Sequence, residues 1–171
     1  MDNNTAAQHR HSAPTKLRCA VMTLSTTRTK EDDAGGAYIC SALKDAGHSV
    51  VWYEVLKDDG VAISAALRAL RENDGVDLII ATGGTGLAPS DVTVEAARAL
   101  FDKEITAFGV LFTVLSHQQV GTACVLSRAT AGVLGKKIVC CLPGSPKACR
   151  LAMEQIILPE AGHMVKHARG S

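Results

Sequence analysis

Val76-Asp77-Leu78-Ile79-Ile80-Ala81 runs directly into Thr82-Gly83-Gly84-Thr85-Gly86. The first run has strand length and is almost wholly apolar. That suits a strand of a parallel sheet covered on both faces. The glycines that end it let the backbone turn tightly and approach a ligand without Cβ interference. In open parallel sheets, ligands bind beyond the carboxyl ends of the strands. One stretch thus predicts both a sheet and the edge where a site belongs.

The preceding residues extend the pattern. Cys19-Ala20-Val21-Met22-Thr23-Leu24 reads as a buried strand. A polar, charged loop over residues 25–36 ends in Asp33-Ala34-Gly35-Gly36. A helix follows with Ile39, Leu43 and Ala46 on one face and Gly47 in the position of a capping glycine. Residues 49–55 read as a second strand and Lys57-Asp58-Asp59-Gly60 as a turn. Ile63, Ala66, Leu67 and Leu70 then repeat as the apolar face of an amphipathic helix. Strands alternating with helices imply parallel pairing through right-handed crossovers.

Beyond the glycines, residues 94–103 are expected to form a helix with Asp91 or Thr93 as its N-cap. Residues 109–119 are expected to be helical in part, and residues 123–126 and 137–142 to be strands. Ser145-Pro146 fits an N-cap followed by proline at the first helical position. Ala148, Leu151, Ala152 and Ile156 would be the buried face of the last long helix. Residues 1–15 are polar and aperiodic, which predicts a mobile tail. One domain is expected over residues 16–166, with a short C-terminal tail over 167–171.

A chain of 171 residues suffices for one domain with a substantial core. Apolar residues at 47% and charged residues at 20% give an ordinary globular balance. Aromatics at 4% and a net charge of +1 argue against nucleic-acid binding, which needs stacking surfaces or a concentrated positive face. The composition shows no apolar run near the roughly 18 residues of a membrane span and no secretory signal. No membrane association is expected, and cytoplasmic residence is. The six cysteines (Cys19, Cys40, Cys124, Cys140, Cys141 and Cys149) form no Cys-x-x-Cys pair and read as buried reduced thiols.

Several groups with chemical potential fall after strands. Thr82, Gly83, Gly84, Thr85 and Gly86 could cradle an anion through backbone N–H groups and threonine hydroxyls. The loop is neither a Walker loop nor a dinucleotide fingerprint. Asp91 stands just beyond it, and Asp58-Asp59 should open onto the same sheet edge, where two carboxylates could share Mg2+ carrying nucleotide phosphates. Leu142-Pro143-Gly144-Ser145-Pro146 is another strand-turn-helix start, beside Lys147. Arg128, in Leu126-Ser127-Arg128, could grip a phosphate or carboxylate. Taken singly, each also fits a plain structural role: a tight turn, an N-cap, a solvated acidic turn or a surface ion pair.

Together these residues resemble the molybdopterin adenylyltransferase family (MogA/MoaB-like). The likeness rests on Gly83-Gly84-Thr85-Gly86, Asp91-Val92-Thr93, Phe108-Gly109, Leu115-Ser116 and Gly121-Thr122-Ala123. It extends through residues 126–132, Leu142-Pro143-Gly144-Ser145-Pro146, and Ile157-Leu158-Pro159-Glu160 with Gly162-His163. The resemblance implies a three-layer α/β sandwich with a mostly parallel central sheet, assembled as a homotrimer or homohexamer. It implies adenylyl transfer from Mg-ATP to the terminal phosphate of molybdopterin, with release of pyrophosphate. Asp58 and Asp91 match the family's functional aspartates, which would hold Mg2+, and Thr82 to Gly86 its nucleotide phosphate loop. Ser116, Ser127, Arg128, Pro143, Gly144 and Ser145 match its molybdopterin side. A downstream metal-insertion enzyme is an implied partner. The chain departs from the family pattern at Thr26, Ser90, Val110 and Thr113, where Asp, Arg, Glu and Arg are usual. Those departures keep a second reading open, a non-catalytic molybdopterin carrier or scaffold. A third is an enzyme of the same fold acting on another nucleotide.

Overall fold

The computed structural model describes residues 13–170. Six strands form one sheet: β1 (Arg18–Leu24), β2 (Ser49–Leu56), β3 (Leu78–Thr82), β4 (Lys103–Glu104), β5 (Thr130–Leu134) and β6 (Lys137–Leu142). Their order is β2-β1-β3-β6-β5-β4. The first four in that order pair parallel, and β5 and β4 extend the edge antiparallel. The expected α/β sandwich with a mostly parallel sheet is therefore present.

Side-chain alternation along the strands builds the two outer layers. Cys19, Val21, Leu78, Ile80, Ile138, Cys140 and Leu142 point to one face. There they meet helices α1 (Ala34–Asp45), α4 (Thr106–Val120), α5 (Pro146–Ala152) and α6 (Leu158–Ala168). Ala20, Met22, Ile79, Ala81, Val139 and Cys141 point to the other. That face is covered by α2 (Gly60–Glu72) and α3 (Thr93–Arg98). All six cysteines are buried and unpaired. Burial pushes the Cys19 and Cys141 thiols up to about 12, so they pack as small neutral groups.

The chain runs from β1 outward to β2, then returns to the far side of β1 as β3. The reversal creates a switch point between β1 and β3, where the loops after these strands diverge and leave a crevice.

Several expectations need correction. Residues 123–126 are not a strand: they belong to a 3₁₀ helix, Gly121–Leu126, that continues from α4. Four apolar residues carry no period that separates the two conformations. The helix expected over residues 94–103 is only Thr93–Arg98, and neither Asp91 nor Thr93 caps it. Val92 occupies the N-cap without a side-chain bond, while Asp91 closes the turn before it by accepting Ala88 N at 2.8 Å. Ala46 is exposed rather than on the buried face of α1, because it caps that helix. The last helix is interrupted by a π-helical turn, Met153–Ile157, and ends at Ala168, two residues beyond the expected domain boundary.

Thr106–Leu126 is, by length and composition alone, long and apolar enough to cross a membrane, contrary to expectation. Here the segment breaks at Gly121 (φ 61°), and Phe108, Phe112 and Ser116 pack inward. Of the expected N-terminal tail, residues 1–12 lie outside the described residues. Pro14 packs against Gly162, where an added Cβ would strike its carbonyl.

Candidate active site

Three loops at the carboxyl edge of the sheet enclose a cleft of about 910 Å³. They follow β1, β3 and β6, and α4 with its 3₁₀ extension forms the opposite wall.

The loop after β3 is shaped by its glycines. Gly83 (φ 100°) and Gly84 (φ 61°) both occupy backbone conformations that side chains disfavour. A Cβ on Gly83 would strike the Leu24 carbonyl. One on Gly84 would strike Thr93 Oγ1 and lie 2.5 Å from Asp58 Oδ1. One on Gly86 would lie 2.7 Å from Asp91 Oδ2. The loop is thus threaded between two carboxylates, Asp58 behind Gly84 and Asp91 beside Gly86.

Asp58 Oδ1 is buried and has no hydrogen-bond partner, and the same is true of Thr93 Oγ1. Burial raises the Asp58 carboxyl above its ordinary range, and the charge of Asp91 adds to the rise. The neighbouring Asp59 has a different task. Its carboxylate accepts Val61 N and Ala62 N and caps α2. Only the first residue of the acidic pair reaches the glycine loop, from behind Gly84, and Asp58 does not itself line the cleft.

Thr85, Gly83, Gly84, Gly86 and Asp91 line the cleft, as do Ser116, Ser127, Pro143, Gly144 and Ser145. Ser127 Oγ is buried without a partner. Two of the expected ligand groups are engaged elsewhere. Thr82 is fully buried beneath the loop, and its hydroxyl donates to the Pro143 carbonyl at 3.1 Å. Arg128 does not line the cleft. Its Nε donates to Gly86 O (2.9 Å) and Thr85 O (3.3 Å), its Nη2 to Asp91 O (3.0 Å), and both Nη groups meet Glu95. Arg128 therefore shapes the glycine loop from behind. The Ser145 hydroxyl accepts Ala148 N at 3.2 Å as the N-cap of α5.

The loop after β1 supplies groups that the sequence reading missed. Ser25 Oγ accepts Thr27 N and Arg28 N in a tight turn. The turn sends Arg28 across the cleft, where Nη1 donates to Gly144 O at 3.2 Å. Behind it, the buried Asp33 caps α1 through Gly36 N and also accepts from Thr23 Oγ1 (2.5 Å) and Tyr53 OH (2.7 Å). Asp33 three residues before Gly36 is a legible capping signal; Arg28 has no comparable local signature. With Lys147, Arg28 places positive charge around the β6 turn, and Phe112 and Leu151 give the cleft an apolar floor.

A family model described as a probable molybdopterin binding domain matches residues 20–163. The chain belongs to the molybdenum cofactor biosynthesis family. Molybdenum cofactor biosynthesis protein B of Bacillus cereus is 45% identical over 161 residues, spanning 94% of this chain and 95% of that protein. The crystal structure of a molybdenum cofactor biosynthesis protein B matches with a TM-score of 0.89 at 44% identity, covering 94% of this chain and 100% of the other. The tungsten cofactor synthesizing protein MoaB from Pyrococcus furiosus matches with a TM-score of 0.79 at 36% identity, covering 92% and 99%. Within this family member, Ser90, Val110 and Thr113 do not line the cleft. Val110 lies on the exposed side of α4, and the Thr113 hydroxyl bonds back to Gly109 O within the helix.

Proposed function

We propose that this chain is a molybdopterin adenylyltransferase. The terminal phosphate of molybdopterin attacks the α-phosphorus of ATP, a new P–O bond forms as the bond to the β-phosphate breaks, and pyrophosphate leaves. The observation that carries this reading is the buried, unpartnered Oδ1 of Asp58, held against Gly84 with Asp91 across the same loop. Two carboxylates flanking one glycine loop, with the charge of Asp91 adding to the rise at Asp58, form a place that calls for a cation.

The donor set fits Mg2+, which is commonly held by one or two carboxylates while substrate phosphates and water complete its shell. When bound, Mg2+ supplies neutralising charge to the nucleotide oxygens. The chain's own part is positioning. Residues 83–86 offer backbone to the phosphates with no side chain between. Arg28 and Lys147 draw the second anion to the opposite turn, and Phe112 and Leu151 receive a flat ring. A phosphate monoester is already ionised near neutral pH, so alignment and charge neutralisation suffice without a strong base.

The test is pyrophosphate release from Mg-ATP with molybdopterin present, for the parent chain and for Asp58→Asn and Asp91→Asn. Release is expected from the parent and not from either variant. Asp58→Asn should fold at least as stably as the parent, because it removes a charge that burial disfavours. The raised Asp58 value means that its ionisation costs stability as pH rises above the ordinary carboxylate range, so the variant's advantage should vanish on acidification. Ligand binding without pyrophosphate release from the parent would replace this reading with the non-catalytic carrier.

The same proposal includes self-assembly and hand-over. Val110, Leu111, Val114 and Val125 are exposed along α4 and its extension, outside the cleft lining. Exposed apolar side chains of this kind suit burial against further copies, as a trimer or hexamer. Light scattering of the purified chain reads the state directly. The adenylylated product is the substrate that a downstream metal-insertion enzyme would take up.

A further inference from the structure

The segment ending in Glu160, Gly162 and His163 has no part in the cleft. His163 and His167 stand one turn apart on α6, and their Nε2 atoms lie 3.0 Å from each other. Glu160 Oε2 lies 3.0 Å from His163 Nδ1. The two rings are 4.7 Å apart at their centroids and inclined by 64°. In the tautomer whose Nδ1–H donates a hydrogen bond to the carboxylate, the Nε2 of neutral His163 is an acceptor that faces the Nε2 of His167.

We propose that His163 and His167 form a surface site for a divalent transition-metal ion of the zinc class. Zinc–imidazole bonds are about 2.0–2.1 Å, so two nitrogens on one tetrahedral ion stand roughly 3.3 Å apart. The pair reaches that separation with a shift of only a few tenths of an ångström from its 3.0 Å spacing. Histidines at i and i+4 share a helix face, the arrangement used by helical zinc sites. A carboxylate on the distal nitrogen of a ligating histidine fixes its tautomer and raises its basicity, and Glu160 occupies that position. Both histidines border a hollow of about 610 Å³ that also involves Asp102, Lys103 and Met164. The remaining coordination positions open toward this space, where water or an added ligand completes them. Asp102 is already engaged by Arg71 and by Gly135 N. The site shares no lining residue with the adenylylation cleft.

Zn2+ titration by calorimetry tests the assignment. The full chain is used in a His9→Ala/His11→Ala background, which removes the two N-terminal histidines. Saturable uptake is expected in that background. His163→Ala and His167→Ala should each abolish it, with unchanged circular dichroism. Glu160→Gln should weaken affinity by about tenfold or more, as loss of an outer-shell carboxylate does. Absence of uptake in the background, or uptake unchanged by both histidine substitutions, would overturn the proposal. Neither outcome bears on pyrophosphate release.

Discussion

Arg128→Ala isolates the role of a side chain that reaches the glycine loop from outside the cleft. Its guanidinium holds the carbonyls of Gly86 and Asp91 at 2.9 and 3.0 Å, with a longer contact to Thr85 at 3.3 Å. A hydrogen bond from a charged donor contributes about 1.5–3 kcal/mol. These bonds share one side chain, and released carbonyls can turn to water, so their sum overstates the loss. The Glu95 pair adds only about 0–1 kcal/mol, as exposed pairs do; Glu95 is 57% exposed. The expected cost is therefore about 2–3 kcal/mol, judged against typical hydrogen-bond contributions. For a chain of this size that corresponds to a fall in Tm of roughly 4–12 °C. Urea denaturation followed by far-ultraviolet circular dichroism measures the first quantity, and an ATP titration reports the loop. Nucleotide affinity should fall although Arg128 does not line the cleft. Arg128→Lys should stay close to the alanine variant, since one ammonium cannot span the carbonyls that the planar fork reaches. An alanine variant within about 0.5 kcal/mol of the parent, the range of neutral surface changes, would refute the assignment, as would a fully competent lysine variant.

Three other substitutions probe the frame. Gly83→Ala should cost at least about 1–2 kcal/mol for the left-handed backbone alone, and more because its Cβ meets the Leu24 carbonyl. Gly121→Ala, with φ 61° and no atom within 4 Å of the added Cβ, should carry only the backbone cost; equal losses by denaturation would contradict the close approach. Asp77 is buried at the opposite edge of the sheet and binds Arg18 and Arg169. Burial alone would raise its carboxyl, but hydrogen bonds from Arg18 and the charge of Arg169 override that and hold it low. Asp77→Asn should therefore destabilise by about 1–3 kcal/mol, as loss of a buried polar partner does. The gap should be full above the ordinary aspartate value of about 3.9 and close as pH falls through the depressed folded value. A pH-independent gap would argue against the ion pair.

The first half of the fold was legible because β1, α1, β2, α2 and β3 each carry a complete periodic signal. The strand β5 was not. Thr130-Ala131-Gly132-Val133-Leu134 contains a glycine that weakens a strand reading. Its purpose is tertiary: the Phe101 ring occupies the space a Cβ would need. The β5–β6 turn at Gly135-Lys136 likewise showed no strong hairpin signature, although Gly135 adopts φ 64°. At the site, glycines and aspartates announced themselves by type and spacing. The tasks of Thr82 and Arg128 did not, because a hydroxyl or guanidinium reads the same whether it faces a ligand or a neighbouring carbonyl. Arg28 was hidden in a charged loop whose meaning depends on Gly144, 116 residues away.

The turns after β3 and β6 are fastened to each other. Gly83 N donates to Leu142 O at 3.0 Å, Thr82 bonds the Pro143 carbonyl, and a Cβ on Gly144 would sit 3.2 Å from Gly83 Cα. Lengthening either turn would displace both, so this half of the cleft tolerates little redesign. The facing wall is different: Gln119, Val120, Ala123 and Leu126 present side chains from a helix and a 3₁₀ turn. Diversification aimed at new acceptor molecules belongs on that wall, where single residues can be exchanged while the phosphate-handling turns stay in register.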